Sequence, residues 1–175
     1  MSFLDLAKKR YSTRAYTDRA VEQEKLDIIL EAGRIAPTAR NIQPQRIIVV
    51  QSEQGLAKVQ KAAEIYHAPM ALIVCTDTDE VWVRPDDDKK VTDIDASIIT
   101  DHMMLAATDL DLQSVWICRF NEAVIREEFD LPDNITPVNI LAIGYRNEEK
   151  WQAKSPERHD KERKALSETV FYEKL

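Results

Sequence analysis

Ala36-Pro37-Thr38-Ala39-Arg40-Asn41-Ile42-Gln43-Pro44-Gln45-Arg46-Ile47-Ile48-Val49-Val50 is the stretch on which the reading of this chain turns. It leaves a helix, crosses a polar loop and enters an apolar strand. Within the loop, Pro37 and Pro44 fix their own φ near −65° and bias the residue before each towards extended backbone. Thr38, Arg40, Asn41, Gln43 and Arg46 place a hydroxyl, two side-chain amides and two guanidiniums close together. A loop stiffened in this way can hold amides still against a planar, heteroatom-rich ligand. An ordinary helix-to-strand connection with solvated polar residues accounts for it as well.

Upstream, Ser2 and Asp5 have the spacing of a capping box for a first helix running to about Lys9. Arg10-Tyr11-Ser12-Thr13-Arg14 leaves that helix as a polar segment. Thr17 or Asp18 is expected to start a second helix, with Leu26, Ile29, Leu30 and Gly33 on its buried face and a stop before Pro37. Downstream, Arg46 to Gln51 is almost continuously apolar, which predicts a strand covered on both faces. Ser52 then caps a helix to about Tyr66, and Ala71 to Thr76 is a second apolar strand.

Residues 77–92 turn acidic around Asp86-Asp87-Asp88 and read as a mobile connection or lid. Three consecutive carboxylates cannot all face one cation, and EF-hand spacing is missing, so a solvated charge run is the reading. Asp93 to Asp111 is the longest helix and is apolar nearly all round, which asks for burial on every side, one of them against a second subunit. His102 in its middle is read as a hydrogen-bonded structural histidine. Gln113 to Ile117 is a short strand, Asn121 caps a helix to Asp130, and Val138 to Gly144 is a further strand. A polar arm from Arg146 to Lys164 follows, then strand character from Glu168 to Tyr172. Helices between apolar strands indicate one domain over 1–175, with a sheet covered on both faces.

The bulk composition excludes several classes. A net charge of −7 over 175 residues argues against a general nucleic-acid role. No run approaches the ~20 apolar residues of a membrane helix. Charged Lys8, Lys9 and Arg10 come too early for a secretory leader. Cys75 and Cys118 are read as reduced, structural thiols of a cytoplasmic protein. Three glycines leave no G-x-G-x-x-G fingerprint and no phosphate-binding Walker loop. The serines lack a G-x-S-x-G frame, and His67, His102 and His159 lack zinc spacing. What remains is a set of cations and amides at turns: Arg10, Ser12, Arg14, Thr38, Asn41, Gln43, Lys161 and Arg163. They suit a phosphate and a ring edged with carbonyls and nitrogens. Scattered surface arginines would give the same list.

At these residues the chain resembles the nitroreductase family of FMN-dependent oxidoreductases. Arg10-Tyr11-Ser12-Thr13-Arg14 resembles its R-x-S-x-R segment, and residues 36–44 resemble its A-P-S/T-x-x-N-x-Q-P loop. Asp95 to Leu110 resembles the dimer-core helix, Ser114 to Ile117 the strand after it, and Lys161 with Arg163 the C-terminal basic residues. The resemblance implies an α+β fold with a central mixed sheet flanked by helices, and a C-terminal arm (146–175) and strand exchanged onto the partner subunit. It implies a homodimer with FMN at the subunit interface. Arg10, Tyr11, Ser12, Arg14, Lys161 and Arg163 would hold the flavin's phosphate side. Val115, Trp116 and Ile117 would pass beside its ring. Pro37, Thr38, Asn41 and Gln43 would reach it from the other subunit. Arg40 is a flavin contact, a substrate gate or plain surface charge. The implied reaction is ping-pong: NADH or NADPH delivers hydride to flavin N5, and a nitroaromatic, quinone or enone then takes it up, with no protein side chain as essential proton donor. A flavin-binding dimer without turnover, acting as a sensor or carrier, is the alternative. The chain departs from the family pattern at Gln45, Asp111, Gln113 and Cys118.

Overall fold

The computed structural model describes residues 1–175. Helix α1 (Phe3–Lys9) opens with the expected capping box, Ser2 and Asp5 satisfying each other's backbone N–H groups. Helices α2 (Gln23–Ile35), α3 (Glu53–Ala62), α4 (Thr92–Asp109), α5 (Glu122–Glu128) and the short α6 (His159–Glu162) alternate with strands β1 (Gln45–Val50), β2 (Met70–Asp77), β3 (Gln113–Ile117) and β4 (Ile135–Gly144). The strands form one sheet in the order β1-β2-β4-β3, and all three pairings are antiparallel. The expected mixed character reduces to one parallel bridge, Ser12 to Ser114, on the outer edge of β3.

Alternation along the strands sends side chains to two separate layers. Met70, Leu72, Val74, Leu141 and Ile143 meet α2 and α4 on one face. Ala71, Ile73, Cys75, Ile140 and Ala142 meet α3 and α5 on the other. β2 is therefore buried throughout, as its unbroken apolar run requires. Gly33 lets α2 lie close on α4, because a Cβ there would stand 2.9 Å from Met103 Cγ. Thr100 on α4 ties to the sheet through Asn139 Oδ1 at 3.1 Å.

Several expectations change. α2 begins at Gln23, five residues after Asp18, because Tyr16 bridges to Arg146 and the Thr17 N–H donates to Tyr145 O at 2.8 Å. Pairing with the end of the sheet thus outcompetes a local cap. β1 is an edge strand whose Val49 is exposed, so it is covered incompletely rather than on both faces. α3 stops at Ala62, before the left-handed pair Tyr66 and His67 at φ 57°. Residues 77–92, expected as a connection or lid, fold back on themselves through the Val83–Lys90 bridge and the Arg84–Asp87 ion pair. Residues 168–172 form no strand: a single turn of 3-10 helix covers Leu166–Glu168, and Phe171 and Tyr172 are exposed. A strand needs an edge to pair with, and this segment pairs with none in its own chain. His102 is half-buried with Nδ1 2.9 Å from Ile98 O, the structural role expected of it.

The two thiols differ. Cys75 is fully buried, and burial pushes its pKa up to about 12. Cys118 is exposed, which corrects the reading of it as a packed residue. A disulfide-exchange reagent is expected to label Cys118 alone in the folded protein and both thiols after denaturation; labelling of Cys75 without unfolding would contradict its placement.

Candidate functional site

Ser12 and Thr13 lie on the free edge of β3, and Ala15 to Thr17 pair with residues 145–147 just after β4. The Thr13 N–H donates to Ser114 O at 3.0 Å. Buried Tyr16 locks the segment from behind, its hydroxyl 3.0 Å from Thr13 O and 3.4 Å from Ala142 O. Burial raises the Tyr16 pKa, so the phenol stays protonated and donates. Arg10, Ser12 and Arg14 are thereby presented from a fixed backbone.

The C-terminal arm closes over them. Arg158 donates to Arg10 O at 2.6 Å and to Lys8 O at 3.2 Å, and its guanidinium sits 5.0 Å from the Tyr11 ring centroid. The result is a cradle of about 250 Å³ bordered by Arg10, Ser12, Arg14, Arg158 and Arg163. Its one carboxylate, Glu162, is engaged by Lys154 at 2.5 Å. Burial and then the neighbouring Arg158 and Arg163 charges hold the Arg10 pKa below its ordinary value. Cations gathered this closely without carboxylate partners are a receptor for a multiply charged anion, because the anion relieves their repulsion. Arg14 is set in place by two rings, Tyr66 at 5.9 Å and Trp151 at 5.8 Å.

Two further hollows continue from the cradle along the same side. Arg14 also borders a hollow of about 600 Å³ that includes Glu64, Tyr66 and His67. Glu64 and Tyr66 in turn border one of about 800 Å³, with Ile117, Arg119 and Phe120. Together they make a trench that runs from the arginine cradle to the C-terminal end of β3. Val115 and Ile117 are buried towards α3 and α5, while Trp116 is half-buried on the α4 side.

The loop 37–43 is elsewhere. The Ala39 N–H donates to Asp95 Oδ1 at 3.0 Å, at the N-terminal end of α4. Arg40, Asn41 and Gln43 have left-handed φ values of 52°, 57° and 60°. Such backbone costs of order 1–3 kcal/mol per residue and persists where surroundings impose it. Here Thr38 Oγ1 accepts the Gln43 N–H at 3.1 Å, and Asn41 O accepts Gln43 Nε2 at 3.0 Å. Pro37, Arg40, Asn41 and Gln43 all remain exposed. The cradle, in contrast, is built against the free edge of β3, from the segment that leaves α1 and from the arm. None of residues 37–43 borders the cradle.

A family model described as the Nitroreductase family matches residues 7–65 and 61–145. The chain belongs to the nitroreductase family. A nitroreductase family protein of Clostridium difficile, solved as a crystal structure, is 59% identical over the full length of both chains, with a TM-score of 0.97. A protein of Methanothermobacter thermautotrophicus, provisionally named an NADH dehydrogenase/NAD(P)H nitroreductase, is 32% identical over 83% of this chain and 78% of its own. An FMN-dependent nitroreductase of Clostridium difficile is 29% identical, covering 97% of this chain and 98% of its own, with a TM-score of 0.77.

Within this nitroreductase-family chain, Arg10, Tyr11, Ser12, Arg14 and Arg163 come together around one cradle. Lys161 is exposed and does not border it. Sequence reasoning missed Arg158, Tyr66 and Trp151. A guanidinium that ties the arm to two carbonyls, and two rings far apart in sequence that flank one arginine, leave no spacing to read. The one available signal was the density of cations in the arm, where Arg158 stands near Lys161 and Arg163.

Proposed function

We propose that the chain is an NAD(P)H-dependent oxidoreductase of the nitroreductase type that works with bound FMN as a homodimer. The observation that carries this reading is the cradle: four arginines without a carboxylate partner converge at one end of a trench, in a chain of net charge −7. The residues fit the group. Arg10, Arg158 and Arg163 would neutralise the phosphate, with Ser12 donating a further hydrogen bond. Arg14, held between Tyr66 and Trp151, would address the polar edge of the ring system. Val115, Trp116 and Ile117 would support the ring along β3. FMN supplies the redox chemistry when bound; the chain binds it, orients it and keeps one face of it accessible from the trench. This reading asks for no carboxylate or histidine as an essential proton donor.

A homodimer is supported by the loop 37–43, which does not border the cradle of its own chain. Pro37, Thr38, Asn41 and Gln43 would reach a flavin in the cradle from a second copy. Apolar residues left exposed along the same side as α4, among them Ile28, Ile35 and Ile94, suit burial between copies. The C-terminal arm, residues 146–175 of a single domain, would extend onto that copy and give residues 168–172 an edge to pair with. No helix is long and apolar enough to cross a membrane. Two free thiols suit a reducing, cytoplasmic setting.

The purified protein is expected to be yellow, with an FMN absorbance band that NADH or NADPH bleaches and a quinone restores. Colourless protein that takes up no added FMN would sink the proposal. Bound FMN that neither nucleotide reduces would instead mark a flavin carrier or sensor without turnover.

A further inference from the structure

Six of the twelve arginines have a carboxylate within ion-pair distance: Arg19, Arg34, Arg46, Arg84, Arg126 and Arg146. The other six find none, although the chain carries 31 acidic residues. Of the other six, Arg10, Arg14, Arg158 and Arg163 line the cradle. Arg40 stands on the strained loop. The sixth is Arg119, exposed at the far end of the trench, two residues beyond β3.

Arg119 borders the 800 Å³ hollow with Tyr66, Ile117 and Phe120. Two carboxylates border it too, and both are already engaged. Glu122 accepts from Arg126 Nε at 2.9 Å. Glu64 accepts the Tyr66 N–H at 2.7 Å, the bond that holds Tyr66 in its left-handed turn. Arg119 is therefore the one charged group of the hollow with no bond of its own. Around it stand two half-buried aromatic side chains and the buried Ile117, which offer a flat ring an apolar seat. A guanidinium beside aromatic faces recognises a planar ligand that carries an acidic group.

We infer that this hollow receives the oxidised acceptor and that Arg119 selects acceptors that are planar, unsaturated rings bearing a carboxylate, sulfonate or phosphate. The inference rests on the reductase reading above and adds the substrate class to it. The same anion chemistry would be met by a phosphate of NAD(P)H, so donor and acceptor are measured separately.

The test uses the FMN-loaded protein, with anthraquinone-2-sulfonate and neutral menadione as acceptors and Arg119→Gln and Arg119→Lys as variants. The ratio of kcat/KM for the sulfonated quinone to that for menadione is expected to fall about fivefold or more in Arg119→Gln, the size of one partly exposed charge pair. Arg119→Lys is expected to restore most of it. Equal losses on both quinones, or an unchanged ratio, would overturn the inference. A loss confined to the half-reaction with NADPH or NADH would overturn it as well, by placing the anion on the donor. Equilibrium binding of anthraquinone-2-sulfonate, followed through tryptophan fluorescence without any donor, reads the same site independently of turnover. If the flavin cannot be reduced, the reductase reading fails, and this titration still decides whether Arg119 holds the anion: weaker binding in Arg119→Gln supports it, equal binding overturns it.

Discussion

Arg14→Ala and Arg163→Ala are each expected to weaken FMN binding by roughly 1.5–3 kcal/mol, about ten- to a hundredfold in Kd. Both guanidiniums face the cradle and neither spends its charge on a carboxylate. Arg14 is held by Tyr66 and Trp151, so little further ordering is needed when a ligand arrives. Arg163 follows the last residue of α6 with its side chain exposed, so its removal leaves the fold of the arm in place. Arg158 would be a poorer probe. It also bonds Arg10 O and Lys8 O, and its loss would loosen the arm together with the ligand. Fluorescence titration of apoprotein with FMN, run beside a thermal melt, measures the effect. Unchanged Kd in both variants would remove them from the site. The effect should also shrink as salt is added, because the interactions lost are between charges near the surface.

Gly144→Ala is expected to be the most damaging small substitution in the chain. A Cβ there would stand 2.5 Å from Pro69 Cδ, 2.9 Å from Pro69 Cγ and 3.1 Å from Tyr16 Cδ1. The proline ring is closed on its own backbone and leads directly into β2, so it cannot swing aside. Overpacking of this kind costs about 1–3 kcal/mol and sometimes more. For a domain of this length that is a fall in Tm of roughly 2–4 °C per kcal/mol. Tyr16 also carries the Thr13 backbone on its hydroxyl, so the cradle should loosen as the fold does. A variant with wild-type Tm and wild-type FMN affinity would contradict the geometry. Gly55 offers the comparison: a Cβ would meet Val50 Cγ1 at 2.7 Å and Ser52 Oγ at 2.9 Å, side-chain atoms rather than a ring closed on the backbone, though Ser52 Oγ is the cap of α3.

Much of the fold was legible in short-range pattern. The Ser2–Asp5 box, the stop before Pro37, the Ser52 and Asn121 caps and the apolar runs of β2, β3 and β4 all depend on neighbours within a few residues. Errors arose where a distant partner decided the outcome. Thr17 has the chemistry of a helix cap, yet its N–H is claimed by Tyr145 O. The apolar run of β1 reads as a doubly covered strand, yet its place at the sheet edge leaves Val49 exposed. The strand character of 168–172 is a local propensity without an edge of this chain to satisfy it.

The site divides in the same way. Arg10, Ser12, Arg14 and residues 37–43 could be picked out because a polar group near a helix end or between two prolines has a local reason to be noticed. Arg158, Tyr66, Trp151 and Arg119 could not, since each acquires its role only from a surface brought to it by the sheet.

The order of most helices and strands and the cationic segment at residues 10–14 are thus legible in sequence alone, through capping, proline geometry and apolar runs whose physics acts over a few residues; the family is legible there only through the resemblance of its motifs. Tertiary structure decided that the strands pair antiparallel, that the arm folds its Arg158 over the 10–14 segment, and that the loop 37–43 bonds to α4 at Asp95 and does not border the cradle. Those outcomes depend on which surfaces meet, a property that no short window of the chain contains.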